Sequence, residues 1–280
     1  MVRPADIARD TTRYNFHSHT QWCDGRAPVA EMVNAAIEAG MEHWGFSPHS
    51  PVPIESSCNM SRESVAGYLA EVRRLQQLHA GRISLYASME IDYLGDTWGP
   101  ANEYFHTLPL DYRIGSVHFV ESPRDGMIDI DGRPENFAVK MERHFDGDIR
   151  RVVEMFYEQS CRMVEAGGFD IIGHFDKIRF NAINYSPGID REPWYGALVD
   201  NLIDLIISSG VTVEINTKAY SQSGVMFPEP GLLPRLVEAG VPVVVNSDAH
   251  YPDKVDAGRA AGLEMLETAR KHIRQSTLCR

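Results

Sequence analysis

Seven short apolar runs recur along this chain, and each hands over near its carboxyl end to a histidine, a carboxylate or an amide. The runs span residues 13–16, 43–47, 83–89, 112–117, 169–172, 211–215 and 243–246. Between them lie longer amphipathic stretches at 28–39, 62–79, 148–166, 195–209, 232–239 and 257–271. Strand-length runs alternating with helix-length ones are the pattern of repeated βα units around a parallel sheet. Pro28 at a helix start, and Gly40 and Gly240 just past helix ends, punctuate the segments as expected. The reading is an α/β chain built as a seven-stranded TIM-like βα barrel, one domain over residues 1–280, with no linker, internal repeat or low-complexity tract. The longest irregular stretches, 50–61, 92–110 and 121–148, all follow strands and read as lid or specificity loops.

Nine residues able to ligate metal occupy the strand ends. His17 and His19 follow the first run, with Asp24 shortly after, and His49 follows the second. Glu90 ends the third, His118 follows the fourth, His174 the fifth, and Asp248 with His250 the seventh. The sixth run offers Glu214 and Asn216 at the same height. In a βα barrel these positions share one rim, the rim on which active sites are built. Imidazoles and carboxylates together suit borderline divalent ions such as zinc, manganese or ferrous iron, so the chain is expected to bind two or three of them. His17 and His19, two apart on an extended segment, point to one face and can share an ion. Glu90 can bridge two ions through its two oxygens, Asp248 can complete the first shell, and Asp24, His49 and His250 can form a third site. His43, His79, His106, His144 and His272 fit no ligand motif.

Composition narrows the partners. A formal net charge of -12 and the lack of a basic stripe argue against nucleic acid, although bound divalent ions leave room for a small anion. Cys23, Cys58, Cys161 and Cys279 make neither a metal knuckle nor a disulfide framework; Cys23 reads as a neighbour of the ligands, not as one of them. Residues 1–12 lack the apolar core of a signal peptide, and no stretch is long enough to span a bilayer, so a cytoplasmic protein without membrane contact is expected. Oligomeric state is not encoded in these patterns.

The runs Asn15-Phe16-His17-Ser18-His19-Thr20, Asp24-Gly25, Pro48-His49-Ser50, Met89-Glu90-Ile91-Asp92 and Gly115-Ser116-Val117-His118 closely resemble the PHP (polymerase and histidinol phosphatase) superfamily. So do Ile172-Gly173-His174, Glu214-Ile215-Asn216-Thr217 and Asn246-Ser247-Asp248-Ala249-His250, so that the resemblance extends from Tyr14 to Gly258. Within the superfamily the chain is most similar to the histidinol-phosphate phosphatases. The resemblance implies a distorted (βα)7 barrel with a trinuclear centre. It places His17, His19, Glu90 and Asp248 around the first ion, Glu90, His118 and His174 around the second, and Asp24, His49 and His250 around the third. Many superfamily members carry a histidine where this chain has Asp24; a carboxylate still ligates but alters metal preference.

Phosphate monoester hydrolysis requires neutralised phosphoryl oxygens, an in-line nucleophile and a proton for the leaving oxygen. A metal-bridging hydroxide supplies the nucleophile, while Asp248, His250 or a metal-bound water are each candidates for the leaving-group acid, with Glu90 as the catalytic bridge. Lys177 and Arg179, just past His174, and more weakly Lys218, are candidate phosphate anchors; Arg179 can fork onto two oxygens. What the resemblance implies is hydrolysis of L-histidinol phosphate in histidine biosynthesis. The alternatives are a PHP-type phosphoesterase for another small phosphorylated metabolite or nucleotide, and a metal-binding interaction module without turnover.

Overall fold

Covered on both faces, the apolar runs fold as short parallel strands, because β-branched and aromatic side chains fit a buried pleated surface. The computed structural model describes residues 2–278. In chain order it has α1 (Pro4–Asp10), β1 (Tyr14–Asn15), α2 (Val29–Glu38), β2 (His43–Phe46), α3 (Val65–Leu78), β3 (Ser84–Ala87), β4 (Glu90–Asp92), α4 (Glu103–Thr107) and β5 (Ile114–Ser116). There follow β6 (Phe119–Ser122), β7 (Gly126–Asp129), α5 (Pro134–His144), α6 (Ile149–Ala166), β8 (Ile171–Ile172), α7 (Ile178–Tyr185) and α8 (Pro193–Ser209). The chain ends with β9 (Thr212–Asn216), α9 (Tyr220–Ser223), α10 (Leu233–Glu238), β10 (Val243–Asn246) and α11 (Arg259–Leu278). Cys279 lies outside the described residues.

Two parallel sheets, ordered β1-β2-β3 and β10-β9-β8-β5-β4, form the barrel wall. Parallel bridges join them on both sides, Ser18 with Ala249 and His49 with Glu90. β3 and β4 are halves of one stave broken at Ser88 and Met89, so the wall has seven staves and is a distorted (βα)7 barrel. The seam between β1 and β10 shows what the distortion consists of. There asparagine side chains replace ladder hydrogen bonds: Phe16 N–H donates to Asn246 Oδ1 at 2.8 Å, and Ser247 N–H donates to Asn15 Oδ1 at 2.7 Å. Each carboxamide satisfies a backbone donor that a regular strand would have paired.

Three apolar clusters hold the wall. Tyr14, Phe16, Tyr112, Ile114, Ile171 and Val244 form the smallest, with Ile7 and Ala8 of α1 packed against it. Tyr112 Oη donates to the Phe16 carbonyl across the interior, and a Cβ on Gly45 would lie 1.8 Å from that hydroxyl, so β2 passes here only as glycine. A second cluster packs α2 and α3 on β2 and β3, and a third packs α5, α6, α8 and α10 around β8 to β10. Burying these side chains stabilises the wall by roughly 25 cal/mol per Å² of apolar surface removed from water.

The stretch 121–148, expected to be irregular, contains part of the antiparallel β6–β7 hairpin and all of α5. The hairpin signal was Asp125-Gly126, where Gly126 takes a φ of +73° at the turn. Helices α1, α4 and α7 were also missed: α4 and α7 have eight residues or fewer, too few for a clear 3.6-residue period, and α1 has seven.

Candidate metal centre

All nine candidate ligands converge at the rim formed by the carboxyl ends of the staves. Glu90 is their hub. Its Oε2 faces His17 Nε2 at 3.2 Å, His19 Nε2 at 3.5 Å and His49 Nδ1 at 3.2 Å. Its Oε1 faces His174 Nε2 at 2.8 Å and His118 Nε2 at 3.3 Å. The two oxygens of one buried carboxylate therefore address two separate sets of imidazoles, the arrangement a bridging ligand needs. Asp248 Oδ1 closes the first set, 3.1 Å from His19 Nε2 and 3.7 Å from His17 Nε2. Asp24 gathers a third set, with Oδ2 3.3 Å from His250 Nε2 and Oδ1 3.9 Å from His49 Nε2.

Local backbone geometry makes these approaches possible. The turn carrying Asp24 folds so closely over His19 and Thr20 that a Cβ on Gly25 would meet Thr20 N at 2.2 Å. His174 and Asp248 themselves sit at positive φ, +22° and +48°. Non-glycine residues held there cost about 1–3 kcal/mol each, and such strain concentrates at functional sites. It is held here by hydrogen bonds: Glu214 Oε2 accepts from the His174 N–H at 3.1 Å, and Asp248 Oδ2 accepts from Asn216 Nδ2 at 3.1 Å.

The donor set fits divalent metal on a structural criterion independent of its composition. His17 Nε2, His19 Nε2, Asp24 Oδ1, His49 Nδ1 and Asp248 Oδ1 are all buried without a hydrogen-bond partner, although they point at one another. Orphaned buried polar atoms are costly, and five gathered in one place call for a cation. The far side of the rings is fixed. Glu214 Oε1 accepts from His17 Nδ1 at 2.7 Å, and Asp92 Oδ1 accepts from His118 Nδ1 at 2.6 Å, leaving each Nε2 free to ligate. Sequence reasoning gave neither Glu214 nor Asp92 a role. Asp92 had a signal, since two residues beyond Glu90 on a strand it shares that face.

The electrostatics are those of a buried cluster rich in carboxylates. Burial opposes charging of His17, but Glu214, Asp248 and Glu90 outweigh it and hold its pKa up at about 10. His118 also rises against burial, through Glu90 and Asp92. Burial drives His49 down, and burial with Lys177 lowers His174. Glu90 and Asp248 stay ionised despite burial, Glu90 through its imidazoles and Asp248 through Lys218, His17 and His19. Burial, His19 and Lys218 push His250 down to about 4, so its Nδ1 proton goes to the Asp248 carbonyl, 2.9 Å away, and Nε2 is bare.

A cavity of about 840 Å³ opens over the cluster. Lys177 and Lys218 line it, with Lys177 paired to Asp131 from the segment between β7 and α5. Arg179 does not line it. Its guanidinium donates to Asp190 at 2.8 Å and lies 3.5 Å from Glu229, in a separate depression. The reason is helical: Lys177, Phe180 and Asn181 follow one another at the three- and four-residue spacing of a single face and all line the cavity. Arg179, two residues on from Lys177, points about 200° away at roughly 100° per residue. Arg179 thus stands apart from the cavity in which a phosphate anchor was expected of it. Trp98, Tyr104 and Phe105 pack on one another, with the Arg62 guanidinium over the Trp98 and Tyr104 rings. Cys23 Sγ lies 3.4 Å from His19 Nδ1, on the ring edge that also faces Asp24.

Known proteins share both sequence and fold with the chain. It is 29% identical over 244 residues to the "Probable histidinol-phosphatase" of Deinococcus radiodurans, covering 85% of this chain and 86% of that protein. The crystal structure of hisK from Listeria monocytogenes superposes with a TM-score of 0.77 at 19% identity, over 89% of this chain and 99% of the other. Histidinol phosphate phosphatase from Lactococcus lactis, solved with zinc, L-histidinol and phosphate, superposes with a TM-score of 0.66 at 17% identity, over 92% and 94%. The motifs that supply the cluster from His17 to Glu214 fall within residues 15–218, which match the PHP domain, and the chain belongs to that family.

Proposed function

We propose that this protein is a metal-dependent phosphomonoesterase that hydrolyses L-histidinol phosphate to L-histidinol and phosphate, its PHP-type domain occupying the chain. One observation carries the reading: the two oxygens of Glu90 face two separate imidazole sets at the floor of a cavity lined by two lysines. In this reading His17, His19, Glu90 and Asp248 hold one ion, Glu90, His118 and His174 a second, and Asp24, His49 and His250 a third, the ions being zinc, manganese or iron. When bound, such ions neutralise phosphoryl oxygens and lower the pKa of water into the neutral range.

The chain's own residues do the rest. Lys177 and Lys218 attract and hold the phosphate dianion at the cluster, Asp131 keeping the Lys177 ammonium in place. Phe119, Ile128 and Phe180 offer apolar surface to an aromatic ring, while Glu55, Asp129 and Glu135 on the same walls suit a cationic leaving group. Histidinol carries both an imidazole and an ammonium, and relatives named for this activity cover most of the chain. Among the described residues no helix is long and apolar enough to cross a membrane. The relatives named for this activity support reading the chain as a cytoplasmic enzyme of histidine biosynthesis.

Phosphate release from histidinol phosphate, nucleotides and sugar phosphates, with metal content measured on the same sample, tests the assignment. The expected result is kcat/KM highest for histidinol phosphate with two or three ions per chain. Preference for a nucleotide or sugar phosphate would transfer the site to another small ester, and metal binding without turnover would make the barrel an interaction module.

A further inference from the structure

Lys218 stands where its charge has two uses. It follows β9, and its N–H donates to Asn216 Oδ1 at 3.1 Å. Its Nζ reaches back over the cluster to lie 3.0 Å from His250 Nε2 and 3.5 Å from Asp248 Oδ2. The Nδ1 proton of His250 is committed to the Asp248 carbonyl, so Nε2 presents a lone pair and the ammonium donates to it. That lone pair is the one His250 would give to an ion shared with Asp24, whose Oδ2 is 3.3 Å away. Asp24 Oδ1 meanwhile has no hydrogen-bond partner. An ammonium and a divalent ion cannot both occupy the lone pair of one imidazole. The lysine side chain is 43% exposed and lines the cavity, so it has somewhere to go.

We propose that Lys218 is a built-in placeholder for the third ion: its ammonium caps His250 in the metal-free chain, and the arriving ion displaces it into the cavity, where it serves as a phosphate anchor. This rests on reading Asp24, His49 and His250 as a metal site. Two consequences follow. The Asp24 site fills last, because an ion there must displace a bound cation before it ligates. Phosphate affinity and third-site loading are also coupled, because the same ammonium serves both.

The test is a titration of chelator-stripped wild type, Lys218→Met and Lys218→Arg with zinc or manganese alone, counting ions and their affinities. Inorganic phosphate binding to the loaded proteins is then measured. In Lys218→Met the weakest ion should bind roughly tenfold tighter, the scale of removing a like charge from a partly buried site, and the tighter ions should be unchanged. Lys218→Arg should keep the competition, and Lys218→Met should bind phosphate more weakly once loaded. A wild type that takes up two ions beside a Lys218→Met variant that takes up three supports the same idea. If the weakest affinity and the ion count are unchanged or reduced in Lys218→Met, the placeholder is refuted. Should wild type itself bind at most one ion, the trinuclear reading falls too, and the wild-type count shows that by itself.

Discussion

Replacing Glu214 with glutamine tests whether the cluster is held from behind. The carboxylate is fully buried and meets four donors: His17 Nδ1 at 2.7 Å and Asn246 Nδ2 at 2.9 Å on Oε1, the His174 N–H at 3.1 Å and Asn216 Nδ2 at 3.0 Å on Oε2. Glutamine keeps the shape but turns one oxygen into a donor, so whichever way the amide faces, two donors lose their acceptor. A hydrogen bond to a charged group contributes about 1.5–3 kcal/mol, and each buried donor left unpaired costs about 1–3 kcal/mol. Part of this falls on stability and part on ligation, since His17 loses the charged partner that orients its ring and raises its basicity. Loss of such an orienting carboxylate lowers metal affinity by about 10–100-fold, or roughly 1.4–2.7 kcal/mol. Phosphatase activity of Glu214→Gln against buffered free zinc or manganese should show the half-saturating concentration raised by that factor, with kcat largely recovered at excess metal. The chelated variant should also unfold at lower temperature than chelated wild type. An unchanged metal midpoint would refute the orienting role.

Glu90→Gln should behave differently: one ion set loses its oxygen outright and the other keeps only a neutral amide carbonyl, so activity should fall by more than about 100-fold, with both ions weakened and no rescue by excess metal, as elemental analysis would reveal. Retention of either ion at wild-type affinity would show that Glu90 is not a bridge. Lys177→Ala should lower kcat/KM by about 10–100-fold with metal content intact, whereas Arg179→Ala should change it less than about threefold and cost about 1–2 kcal/mol of stability through its lost pairing with Asp190. Equal kinetic effects in the two variants would undo the argument from helix faces. Metal binding should release protons near pH 7, because carboxylates hold His17 near 10 and His118 above its ordinary value, and an imidazole must shed its proton to ligate. Apparent metal affinity should therefore rise with pH, and calorimetry in buffers of different ionisation enthalpy should detect the release; proton-neutral binding would contradict it.

Much of the cluster was legible because two periodicities constrain it. A parallel barrel places the carboxyl ends of its staves on one rim, so His17, His49, Glu90, His118, His174 and Asp248 can be brought together from their positions after apolar runs alone. The helical period, applied to residues 177–181, would also have separated Lys177 from Arg179, but α7 is too short to declare itself and the two charges read as one basic segment. Sequence could not divide the carboxylates by task. Glu90 and Glu214 both lie within staves, both are fully buried, and both face His17. What separates them is which nitrogen of that ring each one meets: Glu90 lies 3.2 Å from Nε2, which has no hydrogen-bond partner, and Glu214 lies 2.7 Å from Nδ1, which does. Ring orientation depends on contacts from β1, β9 and β10 at once, including the Asn246 amide that holds Glu214 in place. The ligand types could therefore be read locally, whereas the division between residues that ligate and residues that orient emerges only once the barrel has closed.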